Sequence, residues 1–286
     1  MKILVTGSDG QLGLEIQNIS KKYNTFDWVF STVNSLDFSR LDHIKCFLDT
    51  VNPCYIINCA AYTNVDKAEA EPKIADLINH QAVDVISKWT TENNKKLIHI
   101  STDYVFNGFS KNPIDENSNT DPLNEYGRSK LKGEQVCLNN DSNSIIIRTS
   151  WLYSSYRNNF VKIMIKLMEK RDSLNVVNDQ FGSPTYAADL ADTILKIINF
   201  KNWFSGLYHY SNEGEITWFD FANEIKYLNN FTIQINGVPS EEYPVAAKRP
   251  KYSLLDKTKI KNIYNIKVPY YRDSLEKCIK ILQSKK

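Results

Sequence analysis

The chain has 286 residues, 35 Lys and Arg against 33 Asp and Glu, and a formal net charge of +2. That length can bury a sizeable core as one large domain or two closely associated ones, and the even charge gives no electrostatic case for nucleic acid or an anionic membrane. The five cysteines show no Cys-x-x-Cys spacing and no histidine cluster beside them, which argues against a disulfide framework or structural zinc and for a reducing compartment. The opening MKILVTG reads as a strand, too short for a secretory h-region, and no later run reaches 18 apolar residues. A soluble, cytoplasmic protein is the expectation.

Through the first half, short apolar runs alternate with helix-like stretches. Strands are expected at residues 2–6, 27–31, 55–59, 97–101 and 144–148, with helices at 11–22, 41–50, 74–93 and 125–138. The runs KILVT, YIINC and SIIIRT are apolar without alternation, as strands covered on both faces require. The class is therefore α/β, a doubly wound parallel sheet, with right-handed crossovers expected throughout. Beyond Trp151 the rhythm loosens: helices at 160–170 and 189–199, a strand in GLYHYS, and a helix opening at Thr217. The tail from Gly237 holds four of the nine prolines and is expected to be irregular. No repeat or linker separates two independent units. Residues 1–150 read as a dinucleotide-binding Rossmann core to which 180–200 returns, with 151–179 and 201–286 forming a smaller, interleaved C-terminal substrate lobe.

The first strand runs into GSDGQLG, with Gly7, Gly10 and Gly13 spaced for a sharp turn, close approach of backbone N–H groups to a pyrophosphate, and tight packing of the next helix. Gln11 and Leu12 open that helix. The spacing G-x-x-G-x-x-G is the form used by short-chain dehydrogenase-type Rossmann domains. The second strand ends in FSTVN, with no carboxylate to repel a 2′-phosphate and no arginine to attract one. NADPH is the expected cofactor, with NADH also usable; Asp37 and Phe38 are placed at the adenine end.

Two further strand ends add to the turn. Ala60, Ala61 and Tyr62 follow the third strand, and Ser101, Thr102 and Asp103 end the fourth. Tyr126 and Lys130 stand four apart on a helix and so share a face. Taken alone, that pair is an ordinary feature of a lysine-rich surface. Convergence of all these groups at the carboxyl edge of a parallel sheet, where ligands bind, points instead to catalysis.

The stretches GSDGQLG, AAYTNVDKAEAEP, STDYVF, PLNEYGRSKLKGE, RTSWLYS, NDQFGSPTYAADLAD, GLYHYSNEGEITWFDFA and VPSEEYPVAAKRPKYSLLD span nearly the whole chain. In that order they closely resemble the dTDP-4-dehydrorhamnose reductase family of extended short-chain dehydrogenases/reductases. The resemblance implies NAD(P)H-dependent reduction of the C4 ketone of a nucleotide-linked 4-keto-6-deoxy sugar, dTDP-4-dehydro-L-rhamnose above all. Tyr126 would give the proton, Lys130 would lower the phenol's pKa and bind the nicotinamide ribose, and Thr102 would hold the carbonyl in place of the usual serine. Asp103 joins them at the substrate. Trp151 lies either beside the sugar or in the core, and Arg249 either pairs with the diphosphate or is a surface arginine.

Tyr104, where related dehydratases carry glutamate, disfavours elimination chemistry. A non-catalytic subunit like the beta subunit of methionine adenosyltransferase, or a reductase for a 6-deoxytalose or aminosugar precursor, remains open. Some family members dimerise around magnesium held by glutamates. Glu15 matches one of them, but Ala188 replaces the other, so no metal is expected and a metal-bridged dimer is doubtful, leaving monomer or homodimer. His80, His99 and His209 have no ligand-like spacing and receive no role.

Overall fold

Six parallel strands form the central sheet of the computed structural model, which describes residues 1–23, 25–140, 143–243 and 245–285. They are β1 (Lys2–Thr6), β2 (Asp27–Phe30), β3 (Tyr55–Asn58), β4 (Lys96–Thr102), β5 (Ser144–Thr149) and β6 (Gly206–His209), in the order β2-β1-β3-β4-β5-β6. Every residue of β3 and β5 is buried, which explains their unbroken apolar sequence. Strand periodicity divides the side chains between two layers. Ile3, Val5, Ile57, Ile145 and Ile147 face one, and Leu4, Ile56 and Ile146 face the other.

The first layer holds α1 (Gln11–Ser20) and a helix at Ala187–Asn199, packed on each other through Leu12, Ile16, Leu190 and Ile194. The second holds α2 (Leu41–Val51), α3 (Ala82–Glu92) and α4 (Glu125–Asn140). With α4 numbered, the helix at Ala187–Asn199 is α5. Strand order reverses between β1 and β3, and the crevice there is where such sheets bind ligands.

Three expectations need correction. The crossover from β5 to β6 runs opposite to that from β1 to β2, yet α5 lies on the same face as α1, so the two have opposite hands. A right-handed rule for single crossover helices does not bind here, because this chain leaves the sheet for a second apolar cluster before returning. The helix expected at 74–93 begins at Pro72 and is interrupted by a π turn at Leu77–Gln81. That wider turn brings Asn79 to the interior, where it accepts from Tyr62 N at 2.8 Å and donates to Ser129 Oγ at 3.0 Å. Finally, the tail is irregular only in part, through its early prolines and again around Pro269. Helices follow at Thr258–Tyr264 and Tyr271–Ser284, neither of which contains a proline, while Pro244 lies outside the described residues.

The second cluster gathers helices Phe160–Met168, Trp218–Leu228 and Tyr271–Ser284 around a parallel strand pair, Ser173–Val177 with Gln234–Val238. Thr217 caps the middle helix with a full capping box to Asp220. Against the expectation that 201–286 lies wholly in the substrate lobe, β6 completes the main sheet and Thr258–Tyr264 packs beneath it.

Candidate active site

A cleft of about 780 Å³ opens at the carboxyl ends of β1, β3, β4 and β5. Its walls bring together Gly7, Gly10, Gln11, Leu12, Gly13, Asp37, Phe38, Ala60, Ala61, Thr102, Asp103, Tyr126, Lys130 and Trp151. Two expected residues stand outside its lining. The Tyr62 hydroxyl donates to Glu71 Oε2 at 2.7 Å. Arg249 holds Asp66 through both nitrogens, at 2.7 and 3.3 Å, a pairing of side chains 183 positions apart that no local pattern reveals.

The glycine turn is shaped for close contact. Gly7 adopts φ 58, and a Cβ there would stand 2.7 Å from Ala60 Cα; one at Gly13 would stand 2.5 Å from Ser8 Cα. Gly10 caps α1 with no side-chain hydrogen bond, so the first N–H groups of the helix remain available at the cleft with the positive end of its dipole. These features fit a dinucleotide pyrophosphate. Asp37 accepts from Ser39 N at 2.8 Å, a bond that lowers its carboxyl pKa and keeps it charged.

At the other end, α4 presents Tyr126 and Lys130 on one face. Gly127 makes this possible, because a Cβ at that position would stand 2.2 Å from Tyr104 O. The Tyr126 ring meets Tyr104 edge-on at 5.8 Å and its hydroxyl lies against Thr102. Burial pushes the Tyr126 phenol up to about 12, outweighing the lowering by Thr102. This reverses the expectation that Lys130 would pull it down. Lys130 Nζ donates to Ile100 O at 2.6 Å instead, and burial takes the amine down to about 8. A phenol that stays protonated at neutral pH is nevertheless what a proton donor requires.

Thr102 Oγ1 donates to Asp103 Oδ1 at 3.1 Å and accepts from Tyr104 N at 3.2 Å. Asp103 is 2% exposed, its Oδ2 has no hydrogen-bond partner among the described residues, and burial raises its carboxyl to about 6. A carboxyl raised on folding weakens the fold where it ionises. Below about pH 4 both states are protonated and the penalty vanishes; it grows as pH rises toward 6 and is full above. Asp103→Asn should therefore gain about 1–3 kcal/mol at neutral pH and nothing near pH 4. Urea unfolding at the two pH values is the check, and an equal gain at both would refute the ionisation account.

Sequence reading missed Trp218, whose ring stacks on Trp151 at 3.8 Å and 16° in the cleft wall. Its place directly after a cap residue was the available signal. Trp151 takes φ 47, uncommon for a bulky residue, and its ring edge lies where a Cβ at Gly182 would stand only 3.0 Å away. Arg157 was also missed. It lines the cleft beside the glycine turn, paired with Asp9 at 3.0 Å. Glu15 is buried and accepts from Ser154 Oγ at 2.6 Å, while Asp189 is held by Asn212 at 2.8 Å and by Ser274. Among the described residues, no group of three or more His, Cys, Asp or Glu is placed to hold a metal, and no helix is long and apolar enough to cross a membrane.

An open parallel sheet with a pyrophosphate turn at one end of its cleft and a buried phenol and lysine at the other is the arrangement of an extended short-chain dehydrogenase/reductase. Residues 1–284 match the family model for the RmlD substrate binding domain. The dTDP-4-dehydrorhamnose reductase of Aggregatibacter actinomycetemcomitans is 36% identical over 286 residues, covering 96% of this chain and 97% of its own. A crystal structure of a dTDP-4-dehydrorhamnose reductase from Clostridium acetobutylicum ATCC 824 matches with TM-score 0.95 and 38% identity over 99% of this chain and 100% of that one. Another from Bacillus anthracis str. Ames, in complex with NADP, matches with TM-score 0.94 and 38% identity over 98% and 99%. The chain belongs to the dTDP-4-dehydrorhamnose reductase family.

Proposed function

We propose that this protein uses NADPH to reduce the C4 ketone of a nucleotide-diphosphate 4-keto-6-deoxy sugar, converting dTDP-4-dehydro-L-rhamnose to dTDP-L-rhamnose. The observation that carries the reading is the buried Tyr126 phenol, placed against the Thr102 hydroxyl at the foot of a dinucleotide cleft. Membership of a reductase family, with one relative's structure solved with NADP, supports the direction and the cofactor. Gly7, Gly10, Gly13 and the first turn of α1 hold the pyrophosphate, and Asp37 with Phe38 borders the adenine end. Bound there, NADPH supplies the hydride.

Tyr126 Oη gives its proton to the ketone oxygen. Thr102 Oγ1 turns its hydrogen from Asp103 to the same oxygen and fixes the carbonyl. Lys130 balances the phenolate left behind. Residues 1–150 with 180–200 carry the cofactor, and 151–179 with 201–286, apart from β6 and Thr258–Tyr264, carry the sugar nucleotide, with Trp151 and Trp218 as an aromatic wall. Arg249 reaches the diphosphate only by releasing Asp66. A cytoplasmic setting suits five free cysteines, and any homodimer forms without a metal bridge at Ala188.

Loss of NADPH absorbance with dTDP-4-dehydrorhamnose generated in place, followed by NMR of the product, tests this. Rapid turnover to the rhamno sugar is expected. A talo product would mean that hydride reaches the opposite face of the same ketone. Cofactor binding with no turnover on any nucleotide-linked ketosugar, and a co-purifying enzyme, would make the protein a regulatory subunit.

A further inference from the structure

A buried run of polar side chains leads from the sheet to Lys130, and its hydrogen-bond directions follow from the donor and acceptor chemistry. Thr6 Oγ1 lies 2.6 Å from Asn58 Oδ1, short for an amide nitrogen and normal for a hydroxyl donating to a carbonyl oxygen. Thr6 Oγ1 itself accepts from Ala60 N at 3.3 Å, leaving its own hydrogen for Asn58. At the other end of that amide, Nδ2 sits 3.0 Å from His99 Nδ1. An amide nitrogen can only donate, so Nδ1 accepts and bears no hydrogen.

His99 is fully buried, and burial together with the charge of Lys130 holds it well below the ordinary histidine range. A neutral imidazole carries one hydrogen, which here falls on Nε2. That atom lies 3.4 Å from Lys130 Nζ. An ammonium has three hydrogens and no lone pair, so an N–H turned toward it is repulsive, whereas a free amine can accept it.

We infer that His99 is a positioning residue whose Nε2–H faces Lys130 Nζ, and that the Thr6–Asn58–His99 chain thereby sets how firmly Lys130 holds its proton. The other groups facing Lys130 are the Ile100 carbonyl on β4, Glu134 and Cys137 on its own helix, and Cys59 just past β3. Glu134 is already paired with Arg148 at 2.7 Å, and burial keeps both thiols protonated, each near 12. His99 is thus the neutral donor that opposes the lysine's charge, in a place where burial has already loosened that lysine's hold on its proton. The functional half of this inference rests on Lys130 acting as the cation beside Tyr126.

His209 provides an internal control. Its Nδ1 lies 3.0 Å from Ile114 O, which only accepts, so its hydrogen sits on Nδ1, the opposite tautomer. Nitrogen-15 NMR of protein labelled at its four histidines distinguishes protonated from bare ring nitrogens without turnover. The expected result is Nε2–H for His99 and Nδ1–H for His209, assigned by the signals lost in His209→Asn or, should that variant not fold, by those perturbed in Thr6→Val. A hydrogen on Nδ1 of His99 overturns the inference, whatever the substrate proves to be. Thr6→Val removes the donor that orients Asn58, letting the amide turn over and His99 offer Lys130 a lone pair. Lys130 then keeps its charge to higher pH, and the alkaline limb of the kcat profile should move up by about one pH unit. A changed tautomer with an unmoved limb would overturn the role assigned to His99.

Discussion

Tyr126→Phe is expected to bind NADPH as the parent does and to lose ~10²–10⁴-fold in kcat. The substitution removes one oxygen and keeps the ring, so the edge-on contact with Tyr104 at 5.8 Å and the start of α4 survive. Neither the glycine turn nor Lys130 depends on that hydroxyl, because Lys130 is held by Ile100 O at 2.6 Å. What disappears is the phenol placed against Thr102, which burial keeps protonated and which can release its proton as the ketone oxygen gains charge. Cofactor titration by fluorescence, with single-turnover rates, separates the two effects. Near-normal rates in the variant would mean that the proton comes from elsewhere, with Asp103, raised to about 6, next in position.

Glu134→Gln is expected to destabilise the fold by about 3–5 kcal/mol, the usual cost of stranding one partner of a buried ion pair. Glu134 and Arg148 side chains are only 1% and 4% exposed. Their two contacts measure 2.9 and 2.7 Å, and Ser101 donates to the same carboxylate. Arg148 lies over the Phe106 ring at 4.9 Å and has His209 on its far side at 3.4 Å, so no solvent is at hand once the charge opposite it is gone. Replacing both partners by apolar residues, Glu134→Leu with Arg148→Met, should recover most of the loss. Urea denaturation of the single and double variants is the measurement. A single-variant loss below about 1 kcal/mol would mean that the pair is solvated rather than sealed. Activity should fall with stability, since this pair ties the helix of Tyr126 and Lys130 to the strands that end in Thr102 and Thr149.

Much of this protein was legible in its sequence because the rules involved act within a few residues. Glycine at positions 10 and 13 answers a local steric demand, and the alternation of Ile3, Leu4 and Val5 between two layers follows from strand geometry. Helical periodicity alone sets Tyr126 and Lys130 on one face. The tertiary structure decided the remainder. It pairs Arg249 with Asp66 and stacks Trp218 on Trp151. It also places α5 beside α1 and turns His99, a histidine without ligand-like spacing, toward Lys130. Such partners lie far apart along the chain and are selected by which surfaces meet when two layers and a second cluster close on one sheet. The acidity of Tyr126 belongs with them: spacing puts a lysine nearby, but only burial and the Ile100 carbonyl decide what that lysine does.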